Sequence, residues 1–541
     1  MYSPAIFISL AALISCGSPD KESPDSGDPS STTGIAGTGE TDETDETDET
    51  GDTDTPATFS DYQTLISSYL DGDAPGAGGY ARDIAFDDAG NFVIVGGVST
   101  TDFVTTPGAY DTEFGEPGTP QVGSWGPMDV FVSKFDPSGT LLWSTYLGGP
   151  SYDRAYAVEI ADNGDVIVAG RAGPDFPTTP GALQETFAGD NTYDVNSGYG
   201  PQDGFVSRIS ADGNELVWST YFGADGPGFV RDIDIDASGR ILVGLAHVKG
   251  DFGFSPQTTG PRGTLSGSED AYYGKLSSDG SSLLFGTYIG GSNSVTVDGG
   301  NPSIRADGDA VYFVMFTDST DVDCITPGAY QSANAGQMDM LLLRFEDNDE
   351  LSYCTYYGGS NNEGMETHCL AVDDDGNAYI SGGTGSTDLP TTVGAAQTDL
   401  LHTDGGDGFV AKFSRTGSLI AATYVGMPSA VNDIFGMNIE GLAITPSGDV
   451  VGSGSDRPYN TSIRHAVITR LSGDLSEILY VNTYGGSGRD ELRGVDVNAN
   501  GDVAYAGHTT STDWPTVSAH DSTYHSSPDP SPAFVILQPQ Y

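Results

Sequence analysis

Residues 129–170 read DVFVSKFDPSGTLLWSTYLGGPSYDRAYAVEIADNGDVIVAG, and this stretch contains every motif of the repeat that decides the fold. It begins with an Asp-headed segment, continues into a segment that ends in x-T-Y-x-G-G, and closes with two segments joined by a tight Gly turn. Apolar and polar residues alternate in each segment, which is the period of a β-strand rather than a helix. The stretch therefore predicts four consecutive strands joined by short connections.

The three motifs recur seven times in a fixed order from about residue 58 to the end of the chain. The tyrosines of the x-T-Y motif are Tyr69, Tyr146, Tyr221, Tyr288, Tyr356, Tyr424 and Tyr484. The turn glycines are Gly90, Gly164, Gly239, Gly308, Gly376, Gly448 and Gly501. A repeat of four strands is typical of a propeller blade. The sequence therefore predicts an all-β, seven-bladed β-propeller with four-stranded blades.

The two ends of the repeat region complement each other. The first copy begins with a strand of the x-T-Y type at Leu65–Leu70 and has no Asp-headed strand before it, whereas the last copy ends in an Asp-type strand at Pro532–Gln538. Pairing these two strands would complete one blade from both termini, with the N-terminal strand outermost. Because such pairing removes exposed strand edges, we expect the ring to be closed in this way.

The first sixteen residues have the features of an export signal. Ala5–Ile14 is a short apolar core, and Leu13-Ile14-Ser15-Cys16 resembles a bacterial lipobox, in which the cysteine is acylated and becomes the mature N-terminus. By analogy with bacterial lipoproteins, Gly17 after the cysteine implies that the protein is sorted to the outer membrane. The segment departs from the pattern because it has no Lys or Arg before the apolar core. The alternative is an ordinary secretory signal.

Residues 17–57 hold thirteen acidic residues and one Lys, and they include TDETDETDET at residues 41–50. Such a segment predicts an extended, acidic, disordered tether, with calcium binding by the acidic run as the alternative. Residues 58–541 hold 64 acidic and nineteen basic residues, so −45 of the formal net charge of −57 belongs to the propeller. This charge excludes nucleic acid as the main partner. No apolar run is long enough to span a bilayer, so membrane association is expected through a lipid anchor only.

The composite of these motifs over residues 129–183 resembles the SBBP family, the seven-bladed β-propeller repeat of bacterial surface and secreted proteins. The copy at residues 339–397 matches nearly as well, and degenerate copies cover about 480 residues. The copies that begin at Asp270 and His465 depart most from the pattern. The resemblance implies the fold and an exported, often lipid-anchored location, and it implies little chemistry.

Threading this strand order places the tight hairpins on one face and the long loops on the other, where binding usually occurs. The longest loops are Glu113–Met128 and Gly189–Gln202, and the DFPTTPGAL loop at residues 175–183 is assigned to the same face. On each innermost strand, the residue eight positions before the turn glycine should lie at the channel mouth. These residues are Arg82, Tyr156, Arg231, His368, Glu440 and Arg493, with Gly300 in the remaining blade.

Two interpretations of these mouth residues remain open. In one, each Arg pairs with a nearby carboxylate, for which Asp83, Asp232 and Asp490 are candidates, and only joins blades. In the other, the mouth binds an anion or a sugar.

Other candidate chemistry is sparse. The His520, Asp521 and His525 group is the nearest approach to a metal site, and Asp373–Asn377 resembles a calcium loop but is better interpreted as a hairpin turn. No metal or cofactor is therefore assigned, with calcium kept as an option. Trp143 and Trp218 occupy the same outer-strand position and should serve blade packing. Cys324, Cys354 and Cys369 allow three pairings, each of which leaves one free thiol.

These observations predict a monomeric, non-enzymatic binding module, lipid-anchored at Cys16 in the outer membrane or at the cell surface. Its partner would be a protein, a glycan or a small ligand. The alternative is an exported propeller hydrolase or lyase that acts on polysaccharide through carboxylates near the channel mouth, and the 64 acidic residues leave too many pairs to select one.

Overall fold

The computed structural model describes residues 62–70, 72, 78–115, 126–189, 199–226, 228–250, 252, 254, 260–292, 300–364, 368–403, 405–427, 434–458, 463–525 and 529–539. The proposed signal peptide, Cys16 and the acidic tether lie outside these residues. The described part of the chain is all β, and it has no helix of the length and apolar character needed to cross a bilayer.

The strands form seven separate antiparallel sheets, and these are the seven predicted blades. Blade 1 consists of β2 (Gly79–Phe86), β3 (Phe92–Val98), β4 (Asp129–Phe135) and β5 (Leu141–Leu147). Blade 2 consists of β6 (Arg154–Ile160), β7 (Val166–Ala172), β8 (Asp203–Ile209) and β9 (Leu216–Tyr221). Blade 3 consists of β10 (Phe229–Ile235), β11 (Ile241–Val248), β12 (Asp270–Leu276) and β13 (Leu283–Ile289). Blade 4 consists of β14 (Gly300–Asp307), β15 (Ala310–Thr317), β16 (Asp339–Phe345) and β17 (Leu351–Tyr357).

The remaining blades follow the same plan, except that the innermost strand of blade 5 is interrupted. Blade 5 consists of β18 (Glu363–Gly364) and β19 (Leu370–Val372), both paired with β20 (Ala378–Thr384), and of β21 (Asp407–Phe413) and β22 (Leu419–Val425). Blade 6 consists of β23 (Ile434–Ile444), β24 (Val450–Pro458), β25 (Ala466–Leu471) and β26 (Ile478–Tyr484). Blade 7 consists of β27 (Asp490–Val497), β28 (Val503–Thr509), β29 (Ser531–Pro539) and β1 (Tyr62–Tyr69).

Blade 7 is assembled from both ends of the described chain, as the sequence predicted. Its strand order is β1-β29-β28-β27, and the β1–β29 register runs from Tyr62 opposite Pro539 to Tyr69 opposite Ala533. The N-terminal strand is therefore the outermost strand of the last blade. The paired ends Tyr62 and Pro539 lie on the face of the tight hairpins, which we call the hairpin face; the opposite side is the loop-rich face.

The repeated tyrosine fixes the loop that connects the second and third strands of its blade. In blade 1, the Tyr146 hydroxyl donates to the Thr100 carbonyl at 2.8 Å and accepts from the Phe103 amide at 3.0 Å. The same two types of bond are made by Tyr69, Tyr221 and Tyr424. Since these hydroxyls are buried, the hydrogen bonds also prevent the cost of an unsatisfied polar group.

The neighbouring motif residues hold the same loops at other points. The Thr145 hydroxyl exchanges hydrogen bonds of 2.9 Å with the backbone carbonyl and amide of Asp111. The strand-heading Asp129 accepts a hydrogen bond from the Gly115 amide at 2.7 Å, and a side chain at Gly148 would collide with that carboxylate. The repeat signature is therefore a set of loop anchors, and the recurrence of its tyrosine in every blade indicates architecture rather than ligand recognition.

The loops after the second strands do not stay on the loop-rich face, which differs from the prediction for the DFPTTPGAL segment. In blade 2, the Thr179 amide donates to the Ser219 carbonyl at 3.0 Å and the Tyr221 amide donates to the Gln184 carbonyl at 3.0 Å, so residues 179–184 run along the open edge of β9. The Leu183 amide then reaches the Gly280 carbonyl of blade 3 at 3.1 Å. These loops cover an outer strand edge that would otherwise be free to pair with another chain.

A cation near the end of the third strand pairs with a carboxylate on the hairpin face in six blades. These pairs are Lys134–Asp87, Arg208–Asp165, Lys275–Asp349, Arg344–Asp307, Lys412–Asp373 and Arg470–Asp449. About a third of the basic residues of the propeller are thus used in structural pairs on the face opposite the channel mouth.

Aromatic residues on the outer strands join neighbouring blades. The Trp143 indole donates to the Ala211 carbonyl at 3.0 Å, and the Trp218 indole donates to the Ser278 carbonyl at 3.2 Å. Each ring lies against a glycine of the next blade, in the turn between its third and fourth strands. These glycines are Gly213 for Trp143 and Gly280 for Trp218. The predicted packing role of both tryptophans is confirmed, since both are buried.

This contact predicts a difference between two glycine substitutions. Gly213 (φ 72°) lies against the Trp143 ring, whereas Gly181 (φ 88°) has open space where a Cβ would lie. Gly181→Ala should lower the free energy of unfolding by about 1–2 kcal/mol, the cost of a left-handed backbone. Gly213→Ala should lower it by about 2–5 kcal/mol because steric overlap adds to that cost. Urea denaturation of both variants measures the difference, and equal losses would contradict the role of the Trp143 contact.

Candidate binding site at the channel mouth

The innermost strands carry an irregularity at the position that the sequence singled out. In five blades the pairing with the second strand skips one residue, which forms a β-bulge and turns its side chain away from the regular ladder. The skipped residues are Arg82, Tyr156, Arg231, Glu440 and Arg493. In blade 5 the corresponding His368 has φ 70° and lies between β18 and β19. In blade 4 the irregularity follows Gly300, which itself pairs with Phe316.

Four guanidinium groups surround Tyr156. The distances from their central carbons to the tyrosine ring centroid are 4.4 Å for Arg231, 4.9 Å for Arg154, 5.3 Å for Arg171 and 5.8 Å for Arg82. Arg154 also donates to the Tyr156 hydroxyl at 2.5 Å. The four residues, which we call the arginine cluster, belong to blades 1, 2 and 3, and none of them is more than 6% exposed.

Aromatic rings enclose the arginine cluster. The Arg171 guanidinium lies 4.1 Å from the Phe229 ring and 4.6 Å from the Tyr199 ring, and Arg154 lies within 6 Å of the rings of Tyr80, Tyr152 and Tyr199. A guanidinium over an aromatic face gains about 0.5–2 kcal/mol, more when water is excluded. The rings therefore offset part of the cost of burying these cations and shape the surroundings of Tyr156.

The arginine cluster changes the acidity of Tyr156. Burial alone would raise the pKa of this phenol, but the positive charges of Arg154, Arg171, Arg231 and Arg82 outweigh burial and lower the pKa from 10.0 to about 7. Tyr156 is therefore a site where negative charge is stabilised near neutral pH. Perturbed ionisation of a buried group in a concave site is a property of functional sites.

A second charged group lies on the blade 7 side of the mouth and is centred on the buried Glu491. Its carboxylate oxygens lie 2.7 Å from Arg489, 2.9 Å from Arg493 and 3.2 Å from Arg464. Burial opposes ionisation of Glu491, but Arg493 and its other cationic neighbours hold its pKa well below its usual range. Arg493 also lies 3.6 Å from Glu440, so the structure brings these two predicted mouth residues together.

The two charged groups meet through Tyr80 and His508. The His508 ring centroid lies 4.9 Å from that of Tyr80, whose ring is 5.4 Å from Arg82. Burial lowers the pKa of His508 to about 3, so the imidazole is neutral at physiological pH. The mouth is therefore lined by cationic side chains from blade 3 through blades 2, 1 and 7 to blade 6.

His368 closes the channel beneath the arginine cluster. It extends from blade 5 across the axis, where its Nε2 lies 3.0 Å from the Tyr156 carbonyl and its Nδ1 lies 3.2 Å from Asp232. Asp232 also pairs with Arg305 at 2.8 Å. Burial alone would lower the pKa of His368, but Asp83 and Asp232 outweigh it and raise the pKa. His368 therefore connects blade 5 to blades 2 and 3 at the arginine cluster.

In the structural interpretation, each mouth arginine pairs with a nearby aspartate. The three candidate aspartates have other partners among the described residues. Asp83 accepts a hydrogen bond from the Val158 amide at 2.9 Å, and Asp232 accepts one from the Ile304 amide at 3.0 Å. Asp490 bonds to the Ser511 hydroxyl at 2.8 Å and the Gly486 amide at 2.9 Å. Asp83 and Asp232 therefore connect neighbouring blades through backbone amides.

The remaining candidates are explained by local contacts. Asp373 is bound by Asn377 and by Lys412 at 3.0 Å, as expected for a hairpin turn. His520 packs on Phe135, with ring centroids 5.6 Å apart. Among the described residues, no three His, Cys, Asp or Glu side chains form a group that could hold a metal ion.

The structure selects one of the three cysteine pairings. Cys324 and Cys354 form a disulfide, and Cys369 is a buried free thiol.

Sequence reasoning missed two arginines of the cluster. Arg154 lies two residues before Tyr156 on β6, and Arg171 lies on the neighbouring strand β7. They are directly paired across β6 and β7. The equivalent pairs elsewhere are Tyr80–Gly97, Phe229–Ala246, Asn438–Ser455 and Glu491–His508. Comparing blades at this pair of positions would have revealed the only Arg–Arg combination among these five blades.

The fold and the site define a seven-bladed β-propeller whose innermost strands bring a cluster of buried arginines together around Tyr156. No family model matches the chain. The regulatory protein FlaEY of Caulobacter vibrioides is 24% identical over 301 residues, which correspond to 52% of this chain and 28% of that protein. The chain thus spans less than a third of the length of this relative.

Solved structures with similar architecture share little sequence with the chain. A protein of unknown function from Dyadobacter fermentans aligns with 88% of this chain and 99% of its own, with a TM-score of 0.40 and 14% identity. The β-propeller domain of the Trilobed protease from Pyrococcus furiosus aligns with 80% of this chain and 89% of its own, with a TM-score of 0.38 and 8% identity. Similarity at this level carries no information on function.

Proposed function

We propose that the chain is an exported, lipid-anchored propeller of the SBBP type that acts as a non-enzymatic binding module at the cell surface. The lipobox-like sequence at Cys16 and the acidic tether support export and anchoring. The described chain begins at Tyr62 on the hairpin face, opposite the channel mouth. An anchor attached through the tether would therefore be joined to the propeller on the face opposite the mouth.

The observation that carries the binding proposal is the arginine cluster. In a chain with a formal net charge of −57, four buried arginines converge on one tyrosine at the mouth. Clustered cationic side chains attract oppositely charged ligands, and guanidinium groups match carboxylate and phosphate groups geometrically. The ligand is therefore proposed to carry an anionic group that approaches the arginine cluster from the loop-rich face.

The test is a binding screen of the full chain on neutral and acidic glycans, followed by calorimetry with the best ligand. Replacing Arg82, Arg231 and Arg493 together by Ala should weaken binding at least tenfold, since each bond to a charged group contributes about 1.5–3 kcal/mol. The matched control removes Arg262 and Arg415, which lie outside the mouth. Unchanged binding by the triple variant, with the fold intact by circular dichroism, would exclude the mouth as the site.

The ionisation of Tyr156 also favours a second candidate, a lyase that acts on acidic polysaccharide. A phenolate among arginines could remove a proton adjacent to a carboxylate, because the arginines would stabilise the charge that develops. Tyr156 is only 1% exposed, which favours binding over turnover. An assay for released reducing sugar separates the two: binding without release supports the module, and release that is lost in Tyr156→Phe supports the lyase.

A further inference from the structure

The loop after the second strand of a blade also fills the boundary between that blade and the next. In blade 2 the loop bonds to β9 at Thr179 and Gln184, and the four residues between these anchors end in Leu183, which packs against the core cluster of blades 2 and 3. The loops of blades 1, 4 and 5 have the same spacing between their anchors. The residues that correspond to Leu183, which we call boundary residues, are Tyr110, Tyr330 and Ala396.

Tyr330 shows how a boundary residue packs on the next blade. Its ring lies 5.9 Å from the ring of Phe413 in blade 5, with an angle of 79° between the ring planes. Phe413 is paired with Leu419 across β21 and β22. The charge distribution of aromatic rings favours such an edge-to-face arrangement. The boundary position therefore accepts an aromatic ring.

The loop of blade 3 is shorter at this point. The Gly260 amide donates to the Gly286 carbonyl at 2.9 Å, and the Arg262 amide donates to the Thr287 hydroxyl at 3.2 Å. These bonds correspond to the two anchors of the other loops, but only Pro261 lies between them, where the other loops have four residues. Between its anchors this loop therefore has no boundary residue to place against blade 4.

A cavity of about 190 Å³ lies at this place, between blades 3 and 4. Phe345 and Leu351 of its lining form the cross-strand pair of blade 4 that corresponds to Phe413 and Leu419 in blade 5. The cavity thus lies where a boundary residue of blade 3 would pack. The other apolar residues of the lining include Pro261, Ile289 and Leu343.

Covalent and polar contacts fix the walls of this cavity. Cys324 is part of the lining and is joined to Cys354 of β17 by the disulfide. The Arg262 guanidinium donates to the Gly290 carbonyl at 2.7 Å and pairs with Asp323 of blade 4. The Asp323 side chain is 66% exposed, so the rim of the cavity is polar. Because fixed walls need little ordering when a ligand enters, binding retains more of its favourable free energy.

We infer that this cavity binds a small ligand through a single aromatic ring that carries a polar group, as a phenol does. The ring would pack on Phe345 as Tyr330 packs on Phe413, and its polar group would lie at the rim beside Asp323. The volume is sufficient, because an apolar cavity of about 150 Å³ binds benzene. The site is built from third and fourth strands and their loops, whereas the arginine cluster lies on first and second strands. The inference therefore goes beyond the binding proposed for the channel mouth.

The probe is p-cresol, which is the tyrosine side chain as a free compound. It should raise the Tm of the full-length chain and bind in a ligand-observed NMR titration with a Kd on the order of 0.1–1 mM. Leu351→Phe should fill the cavity, weaken p-cresol binding at least tenfold and leave Tm no lower than in the wild type. Leu419→Phe is the matched control. Since Tyr330 already fills that boundary, Leu419→Phe should lower Tm by overpacking and leave the p-cresol affinity unchanged.

A loop graft tests the same cavity without changing its blade 4 wall. Replacing Pro261 by Pro-Gly-Ala-Tyr, the sequence of residues 327–330, gives blade 3 a boundary residue of its own. The graft should raise Tm and abolish p-cresol binding, and either variant decides the question if the other does not fold. The inference is overturned if p-cresol does not bind the wild type, or if it binds the graft or Leu351→Phe as tightly as the wild type.

Two further measurements separate this site from the mouth and identify the source of the ring. Replacing Arg82, Arg231 and Arg493 together by Ala should leave p-cresol binding unchanged, so the proposed function and this inference fail independently. Loss of p-cresol binding in that variant, with the fold intact, would place the ligand at the mouth and overturn the inference. N-acetyltyrosine amide that binds more tightly than p-cresol would identify a tyrosyl side chain as the natural ligand, and weaker binding would identify a free phenol; both support the inference.

Discussion

Deletion of residues 531–541 is expected to abolish cooperative folding of the propeller rather than shorten it by one strand. These residues contain β29, which lies between β1 and β28 in blade 7, so its loss leaves both neighbours without a partner. Phe534, Val535, Ile536 and Leu537 are at most 3% exposed. Burial of four such side chains contributes about 6–12 kcal/mol, which is comparable to the whole stability of a typical domain.

Two variants sharpen this prediction. Phe534→Ala should lower the free energy of unfolding by about 3–5 kcal/mol, since it creates a cavity among Phe92 and Phe135. Removal of residues 1–57 should leave Tm unchanged, because these residues precede the first described strand. Thermal melts followed by circular dichroism measure all three effects. An unchanged Tm after the C-terminal deletion would show that the terminal pairing does not hold the ring together.

Among the described tyrosines whose pKa is shifted, Tyr156 is the one whose pKa is lowered, and it is expected to titrate near pH 7. The phenolate absorbs at longer ultraviolet wavelengths than the phenol, so a pH titration should show a step from Tyr156 around a pKa of about 7. Tyr156→Phe should remove this step. Arg231→Gln should move it to higher pH, because Arg231 has the guanidinium closest to the ring.

The ionisation of Tyr156 also makes the free energy of unfolding depend on pH, in a direction that follows from the shift of its pKa. The pKa of Tyr156 is lower in the folded chain than its ordinary value of 10.0, so the charged form is favoured by folding. This contribution is fully present above pH 10 and is lost as the pH falls through about 7. The free energy of unfolding of the wild type, relative to that of Tyr156→Phe, should therefore increase as the pH rises from 7 to 10. Tyr330→Phe is the control, and a step near pH 7 that survives Tyr156→Phe would refute the assignment.

The blade count and the terminal pairing were predictable because each rests on local, repeated patterns. Seven x-T-Y tyrosines and seven turn glycines mark strands whose burial follows directly from alternation. The route of the DFPTTPGAL loop was not predictable, because the bonds of Thr179 and Gln184 to β9 are non-local. Sequence patterns indicated the face on which the loop begins, but they contained no information on where the loop packs.

Prediction of the channel mouth from the sequence was limited in the same way. Counting from the turn glycines found Arg82, Tyr156 and Arg231, which the structure brings into contact. It missed Arg171 because this residue lies on a second strand, where the count was not applied. The contact of His368 was also not predictable, since His368 reaches from blade 5 to the backbone of Tyr156 in blade 2, 212 positions away in the chain.

The terminal pairing in blade 7 also determines how the molecule carries mechanical load. If a ligand held at the mouth is pulled outward while Cys16 stays in a membrane, the force passes through Tyr62 and runs along the axis of β1. Because the pull acts on β1 at Tyr62 while the ring holds β29 from the side of the mouth, this force is directed along the β1–β29 ladder and loads its hydrogen bonds together rather than one at a time. Forced unfolding is governed by the rate of crossing such a barrier. If the proposed anchor at Cys16 holds, the terminal pairing therefore meets such a load in shear.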